Sequence, residues 1–385
     1  MLAVSAKKVK TMGKNGDFSP GTILCEEGKI IKAGSDIEIP DEAEKYEFPG
    51  ATVIPGMIDA HTHVGIGEEG LGWEGRDYNE ITDPISPQLR AVDAINPGDK
   101  GIEDARKRGI TSVMVSPGSA NVIGGEALAI KTRGKVVDNM ILKNPVGIKA
   151  AFGENPKRVY GEKDKSPSTR MAVAAKMRSA FQKAEDYMAR KMKNDEDEPF
   201  ERDIKWESLA RVLRGELPLK THAHRADDIM TALRIAGEFD LEITIEHCTE
   251  GHFIAEELAR AGVSAVVGPT LTTRTKVEVK ERDFKTAAVL AEAGVKVALM
   301  SDHPVIPVDQ LNIYAALSAR AGLPEEEALK AITLNPAEIL GIDDRVGSIE
   351  TGKDADLVVF DGDPLRISSE LKAVFIEGEH IEPAS

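Results

Sequence analysis

The chain has 385 residues, 41% hydrophobic and 30% charged, an ordinary globular mix and enough for one large domain or two smaller ones. A formal charge of −16 argues against nucleic acid as a partner, because phosphate contacts need a basic surface. No run approaches the roughly 18 apolar residues of a membrane span, the N-terminal text lacks an apolar signal segment, and the two distant cysteines, Cys25 and Cys248, imply no disulfide framework. A reduced, cytoplasmic protein without membrane attachment is the expectation. Aromatics are only 4%, so the core is to be built from Val, Ile, Leu, Ala and Met.

Residues 1–51 read as short strands and turns, with "GTILCEEGKIIKAG" as two β-rich pieces joined by Glu-Gly. The text then changes. Short β-rich runs end in polar residues and are followed by helical text. The clearest runs are "ATVIPGMIDAHTH", "GITSVMVSPGS", "VGIKAAFGEN", "LPLKTHAH", "LEITIEHCT", "GVSAVVGPT" and "GVKVALMSDHP". Helical pieces fall at "RADDIMTALRIAGEF", "HFIAEELARAG" and "DFKTAAVLAEAG", with apolar residues three and four apart and a closing Gly on or near each. Repeated β-then-α text predicts an α/β protein with parallel strands and crossover helices. These runs, with "EALAIKTRG" as a weaker eighth, predict a (β/α)8 TIM-like barrel over roughly 52–336. A doubly wound sheet competes, but the chain lacks a Gly-rich first turn, and "GGEALA" reads as a turn.

Two stretches break the alternation. Residues 67–100 form a long loop, of the kind that usually serves as a lid or binding loop. Residues 165–203 hold helical text ending in "KNDEDEPFERD", read as a solvated helix end and loop. Beyond 343 the strand–turn–strand text returns in "GSIETGKDADLVVFDGDP" and "LKAVFIEGEHI".

Six of the eight histidines, His61, His63, His222, His224, His247 and His303, lie at or just past predicted strand ends, with Asp302 beside the last. In a barrel such ends converge on one rim, where active sites are built. A His-x-His pair on a strand points both imidazoles to one side, so two nitrogens can reach one cation at roughly 2.0–2.1 Å. His61, His63, His222, His247 and Asp302 suit one or two divalent metal ions, zinc first, with manganese, iron or cobalt as alternatives.

These motifs resemble the metal-dependent amidohydrolase superfamily, in particular its imidazolonepropionase-like and prolidase-like branch. "VIPGMIDAHTHVG" is similar to the family's first-strand signature, "THAH" to its fifth-strand histidine, "IEHC" to its sixth, and "SDHP" to its eighth-strand aspartate. "TLNPAEILGIDDRVGSIETGKDADLVVFDGDP" resembles the passage from the last helix into a small β-domain, which "EEGKIIKAG" would complete. The resemblance implies a small β-sandwich domain built from 1–51 and 343–385 around a catalytic barrel at 52–342. It implies that His61, His63 and Asp302 bind the more buried metal, and His222 and His247 the second.

Two residues compete for the bridging position. Lys149 lies in an apolar strand, where its burial is costly unless the charge is changed or paired, which favours a carboxylated lysine. Glu154 stands at the rim and needs no modification, and the reading leans to it; a mononuclear site without a bridge stays open. The implied reaction is C–N hydrolysis of a small amide, cyclic amide, N-acyl amino acid or dipeptide-like molecule, with Asp302 as general base and acid. Candidate substrate contacts are His224, His303, Asn121 with Ser119, Arg76 with Asn79, and Arg158, an arginine suiting a substrate carboxylate. Cys248 reads as a packed thiol. A deaminase of the same superfamily is the alternative, weakened by Arg225 where deaminases usually carry glutamate; a catalytically silent assembly module is the other. A symmetric homo-oligomer is compatible with the sequence.

Overall fold

The computed structural model describes residues 1–193 and 200–384 and holds two sheets. Residues 194–199, within the charge run read as a solvated helix end and loop, lie outside the described residues. Strands β1 (Leu2–Val9), β2 (Gly21–Glu26), β3 (Lys29–Gly34) and β4 (Glu44–Pro55) precede the barrel strands. These are β5 (Met57–Thr62), β6 (Ile110–Val115), β7 (Ile123–Lys131), β8 (Ile141–Ala151), β9 (Leu219–Ala223), β10 (Ile243–His247), β11 (Ser264–Val267) and β12 (Val297–Leu299). β13 (Leu357–Phe360), β14 (Leu371–Ile376) and β15 (Glu379–Ile381) follow.

The smaller sheet has the order β15-β14-β13-β4-β1-β2-β3, so strands from both ends of the sequence share it. Its hairpins use the same turn twice. Glu27 and Gly28 (φ 50° and 78°) join β2 to β3, and Glu377 and Gly378 (φ 51° and 74°) join β14 to β15. Paired positive φ matches the right-handed twist of the flanking strands, and the Gly in each pair adopts it without steric cost. Val4, Ile23, Val53, Leu357 and Phe375 form its buried core. Gly56 alone separates β4 from β5, and a Cβ there would collide with the Thr111 side chain, so only glycine carries the chain from one sheet to the other at this point.

The larger sheet keeps sequence order from β5 to β12. Its seam closes at the rim, where the Asp302 N–H donates to the His61 carbonyl (3.1 Å) and the His63 N–H to the His303 carbonyl (2.8 Å). The strand text of "EALAIKTRG" is present as β7, but its direction differs from the all-parallel expectation: β7 runs antiparallel to both β6 and β8. The reason is connection length. Residues 116–122 and 132–140 contain no α-helix, and a parallel return needs a crossover of roughly a dozen residues or more.

Helices cover the outside. α1 (Lys100–Lys107) follows the long loop; α2 (Glu154–Gly161), α3 (Arg170–Lys193) and α4 (Ile204–Leu213) occupy the stretch between β8 and β9. α5 (Ala226–Phe239), α6 (Ala255–Ala261) and α7 (Lys285–Glu292) stand where the sequence carries helical periodicity. α5 buries Ile229, Ala232, Ile235 and Ala236, the three-and-four spacing of a one-sided apolar stripe. α8 (Leu311–Arg320), α9 (Glu325–Lys330) and α10 (Leu334–Leu340) complete the shell. Residues 67–100 form a long, largely irregular loop. Part of it is held along β7, with the Ser86 N–H bonded to the Ile123 carbonyl (2.8 Å) and the Glu126 N–H to the Leu89 carbonyl (2.7 Å). Among the described residues no helix is long and apolar enough to cross a membrane.

Candidate metal centre

The rim site begins with β5, which ends in the His-x-His pair. His61 Nδ1 lies 2.8 Å from the buried Glu246 carboxylate. His63 Nδ1 lies 2.6 Å from the Ser116 carbonyl, and His247 Nδ1 2.9 Å from that of Gly268. A carbonyl oxygen only accepts, so these Nδ1 atoms donate, and a neutral His247 then presents its Nε2 lone pair. Such outer contacts are what orient histidine ligands around a cation. The seam bonds described above bring Asp302 beside the pair: its Oδ1 lies 3.4 Å from His63 Nε2 and 3.6 Å from His61 Nε2. Lys149 reaches in from β8, its Nζ 3.1 Å from His61 Nε2.

Across the rim, β9 carries His222 and is followed directly by His224, whose Nδ1 lies 2.8 Å from the Thr249 hydroxyl. Two groups have candidate ligand atoms within 4.8 Å of one another: His61, His247 and Asp302, and His222, His224 and His247. His247 belongs to both. The residues positioning it are strained, since His247, Cys248 and Asp302 hold φ values of 72°, 51° and 56°. Side chains with this backbone conformation persist only where the surroundings over-determine them. In a regular strand Glu246 and His247 would face opposite sides; the left-handed turn beginning at His247 allows both to serve one site.

Electrostatics set the protonation states. Burial, with the nearby Lys149 charge, pulls His61 down to about 4. Burial likewise holds His222, His224 and His247 well below the usual imidazole value, helped by neighbouring histidines and lysines. These rings are therefore neutral, as metal ligation requires. Burial alone would raise the Asp302 carboxyl, but His247, His63 and His61 outweigh it and hold the group well below the usual carboxylate range. Burial opposes ionisation of Glu246 too, yet its contact with His61 and the charges of Lys220 and Lys149 bring it to about 2. Burial lowers Lys149 to about 8 against the attraction of Glu246 and Asp302.

The donor set fits a divalent cation of the zinc type: imidazoles and a carboxylate converge, and His222 Nδ1 is buried without a hydrogen-bond partner. They edge a cavity of about 230 Å³. Tyr78, from the long loop, stacks on His63 with ring centroids 5.3 Å apart and an 18° interplanar angle.

The structure thus gathers His61, His63, Lys149, His222, His224, His247 and Asp302 at one rim. Other candidates lie elsewhere. Glu154 opens α2, where its backbone N–H bonds the Glu278 carboxylate, and it is outside the cavity lining. Asn121 is engaged at both ends, donating to Ser86 Oγ (2.6 Å) and accepting from the Tyr160 hydroxyl (2.6 Å). Arg158 is exposed, 3.9 Å from Glu162, and Arg76 is exposed on the long loop. His303 is buried beside the seam, its Nδ1 accepting the Val308 N–H (3.3 Å) and its Nε2 3.7 Å from Glu69. Ser119 and Asn79 do line the cavity. Cys248 is buried, its thiol pushed up to about 12 by desolvation.

Sequence reading missed Glu246, Tyr78, Asn155 and Lys276. It also missed Asp59, which accepts the Ser301 N–H (3.1 Å) and the His61 N–H (3.1 Å) across the seam, and which burial raises to about 7. Glu246 and Asp59 carried a signal, being acids inside apolar strand text, a costly placement without a partner.

A model described as the amidohydrolase family matches residues 52–380. The chain belongs to the amidohydrolase family. It is 31% identical to the amidohydrolase tasK of Hapsidospora irregularis over 93% of its own length, and spans 39% of that protein. It is 23% identical to the imidazolonepropionase of Bdellovibrio bacteriovorus, covering 89% of this chain and 82% of that one. The crystal structure of an amidohydrolase from Thermotoga maritima superposes with a TM-score of 0.95 at 46% identity, over 99% of each chain. A prolidase bound to N-methylphosphonate-L-proline shares the fold, with a TM-score of 0.62, 17% identity, and coverage of 99% of this chain and 100% of that one. Membership places the chain among hydrolases acting on carbon–nitrogen bonds, a family that generally binds divalent metals and acts on small molecules.

Proposed function

We propose that the chain is a metal-dependent hydrolase of a small amide, cyclic amide, N-acyl amino acid or dipeptide-like substrate, with Asp302 as proton carrier. The observation carrying this reading is the rim cluster, in which neutral imidazoles and a strongly acidic carboxylate share one cavity. His61, His63, His222, His247 and Asp302 would hold one or two divalent ions. Zinc suits a nitrogen-rich set best, and manganese, iron or cobalt are chemically admissible. A bound ion supplies Lewis acidity at the scissile carbonyl and makes water a better nucleophile at neutral pH.

Asp302 takes a proton from the attacking water and delivers it to the leaving nitrogen, so the amide ends as a carboxylic acid and an amine. Glu246 fixes the orientation of His61, and the Ser116 and Gly268 carbonyls fix those of His63 and His247. Lys149 is better placed than Glu154 to supply a bridge, because its Nζ already lies at His61. That role requires the amine to take up carbon dioxide and lose a proton, leaving a carbamate. Both cysteines are free and buried, which suits a reduced, cytoplasmic setting.

The test is metal analysis of purified protein followed by chelation and reloading, with hydrolysis of N-acyl amino acids, dipeptides, lactams and hydantoin-like rings as readout. Hydrolysis should vanish on chelation and return with zinc; turnover indifferent to metal removal overturns the reading. Ammonia release without a new carboxylate would make the enzyme a deaminase. Arg225, whose guanidinium bonds Asp227 (2.8 Å), stands against that outcome.

A further inference from the structure

The cavity also holds a cation outside the candidate ligand set, one side chain away from His222. Lys276, in the segment between β11 and α7, lines it, and its side chain is 23% exposed. Arg76 and Arg158, the cations that loop position suggests, lie outside this lining. Lys276 Nζ is 3.2 Å from Asn155 Oδ1 and 3.3 Å from Glu278 Oε2. An ammonium carries three donors; one goes to the Asn155 oxygen, and Glu278 faces it as an ion-pair partner. Asn155 is fixed in turn. Its Nδ2 donates to Ser119 Oγ at 2.7 Å and lies 3.4 Å from His222 Nε2.

The surroundings make Lys276 more than a solvated surface charge. Glu278 is 1% exposed, and its Oε1 accepts the Glu154 N–H and faces Arg170 at 3.6 Å. Arg170 also binds the buried Asp228 through two contacts of 3.0 Å. Glu278 is thus shared between Arg170 and Lys276. The network fixes the ammonium beside the cavity while leaving it a donor to give.

We propose that Lys276, with Asn155 and Ser119, is a carboxylate-recognition pole that selects substrates bearing a free carboxylate close to the scissile bond. The inference rests on the hydrolase reading above and narrows its substrate class. A single carboxamide, Asn155, separates the ammonium from the His222 imidazole. A substrate that spans the two poles therefore has few bonds between its carboxylate and the carbonyl under attack. That is the geometry of an N-acyl α-amino acid or a dipeptide, not of a neutral lactam. A volume of about 230 Å³ agrees, falling below the roughly 300–1,000 Å³ of sites for larger ligands. Lys276 is a specificity-determining residue on this account, and Asp302 remains the proton carrier.

The test compares N-acetyl-L-alanine with N-acetyl-L-alaninamide, in which a neutral carboxamide of similar size replaces the carboxylate, with acetate release as the measure of hydrolysis. Wild-type, Lys276→Met and Lys276→Arg enzymes are loaded with zinc, and both hydrolysis and equilibrium binding by calorimetry are followed. Wild type should favour the carboxylate compound at least 50-fold in kcat/KM, mainly through KM. Lys276→Met should bring that ratio close to unity, and Lys276→Arg should restore part of it. An unchanged ratio in Lys276→Met overturns the proposal, as does an equal loss on both compounds or a wild type that does not bind the carboxylate compound. Hydrolysis of the amide without preference leaves the hydrolase reading standing and removes this one. Carboxylate-dependent binding without hydrolysis of either does the reverse.

Discussion

Two buried clusters of charge in this chain look alike in composition and differ in balance. Between barrel and small sheet, Lys131 from β7 meets Asp356 Oδ2 at 2.6 Å and Asp354 Oδ2 at 3.0 Å, and Arg345 NH2 meets Asp354 Oδ2 at 2.8 Å. Lys29 closes the set on Asp354 Oδ1. Every charge there has an opposite neighbour. At the rim, nitrogen faces nitrogen: Lys149 abuts His61, three imidazoles crowd together, and His222 Nδ1 has no partner. The first cluster is complete without any further ion, whereas the second, even with Glu246 on His61 and Asp302 beside His63, keeps imidazole nitrogens that could hold a cation. The difference teaches that buried charge marks a functional site when it is unbalanced, because a balanced set already satisfies its members.

The contrast can be broken at either end. Asp302→Asn should lower turnover by about 1,000-fold or more, the scale of a lost general acid–base, while circular dichroism and thermal unfolding stay near wild type; appreciable activity would remove Asp302 from proton transfer. Lys131→Met should instead cost roughly 3–5 kcal/mol in chemical denaturation by taking from the buried Asp356 its paired cation, while Asp354 keeps Arg345 and Lys29, with zinc affinity unaltered. If metal binding fell with it, the two clusters would be coupled. Glu246→Gln tests the support around His61 and should weaken metal affinity about 10–100-fold in a competitive chelator titration.

Acid gives the smallest and most graded effect. His61 titrates at about 4 in the folded state against 6.5 as the ordinary value, and His222, His224 and His247 are depressed as well. The unfolded chain binds these protons first, so the metal-free protein should lose stability as pH falls from about 6.5 toward 4, at most about 1.4 kcal/mol per unit for each histidine. Denaturation midpoints measured across that window check it; a flat profile would mean that the imidazoles are already solvated.

The histidine cluster is legible in residue order, because a strand alternates its side chains with period two and the strand ends of a barrel converge on one rim. The direction of β7 is not. Strand text has no arrow, and only the short helix-free connections on either side betray the reversal. Lys149 and Glu154 cannot be ranked by alternation, since Gly153, at φ 81°, breaks it between them. Glu246 is hidden by adjacency: alternation assigns it to the face opposite His247, and the left-handed turn that reconciles them leaves no mark in residue type. Loop residues such as Arg76 and Lys276 have no periodicity to place them.

The reversal of β7 also shapes how molecules reach the site. β6 pairs with β7 only over Leu128–Lys131, so the rim half of β7 presents an open edge. The Ile85–Arg90 stretch covers it, through isolated bridges of Ile85 to Ile123 and Arg90 to Glu126. The long loop is thereby stapled along β7 in its second half, while its first half folds back on itself through a bridge of Gly67 to Arg76 and leaves Trp73 88% exposed. Tyr78 and Asn79 carry the end of that first half into the cavity lining, so changes made there should alter substrate arrival and product escape as well as the setting of His63.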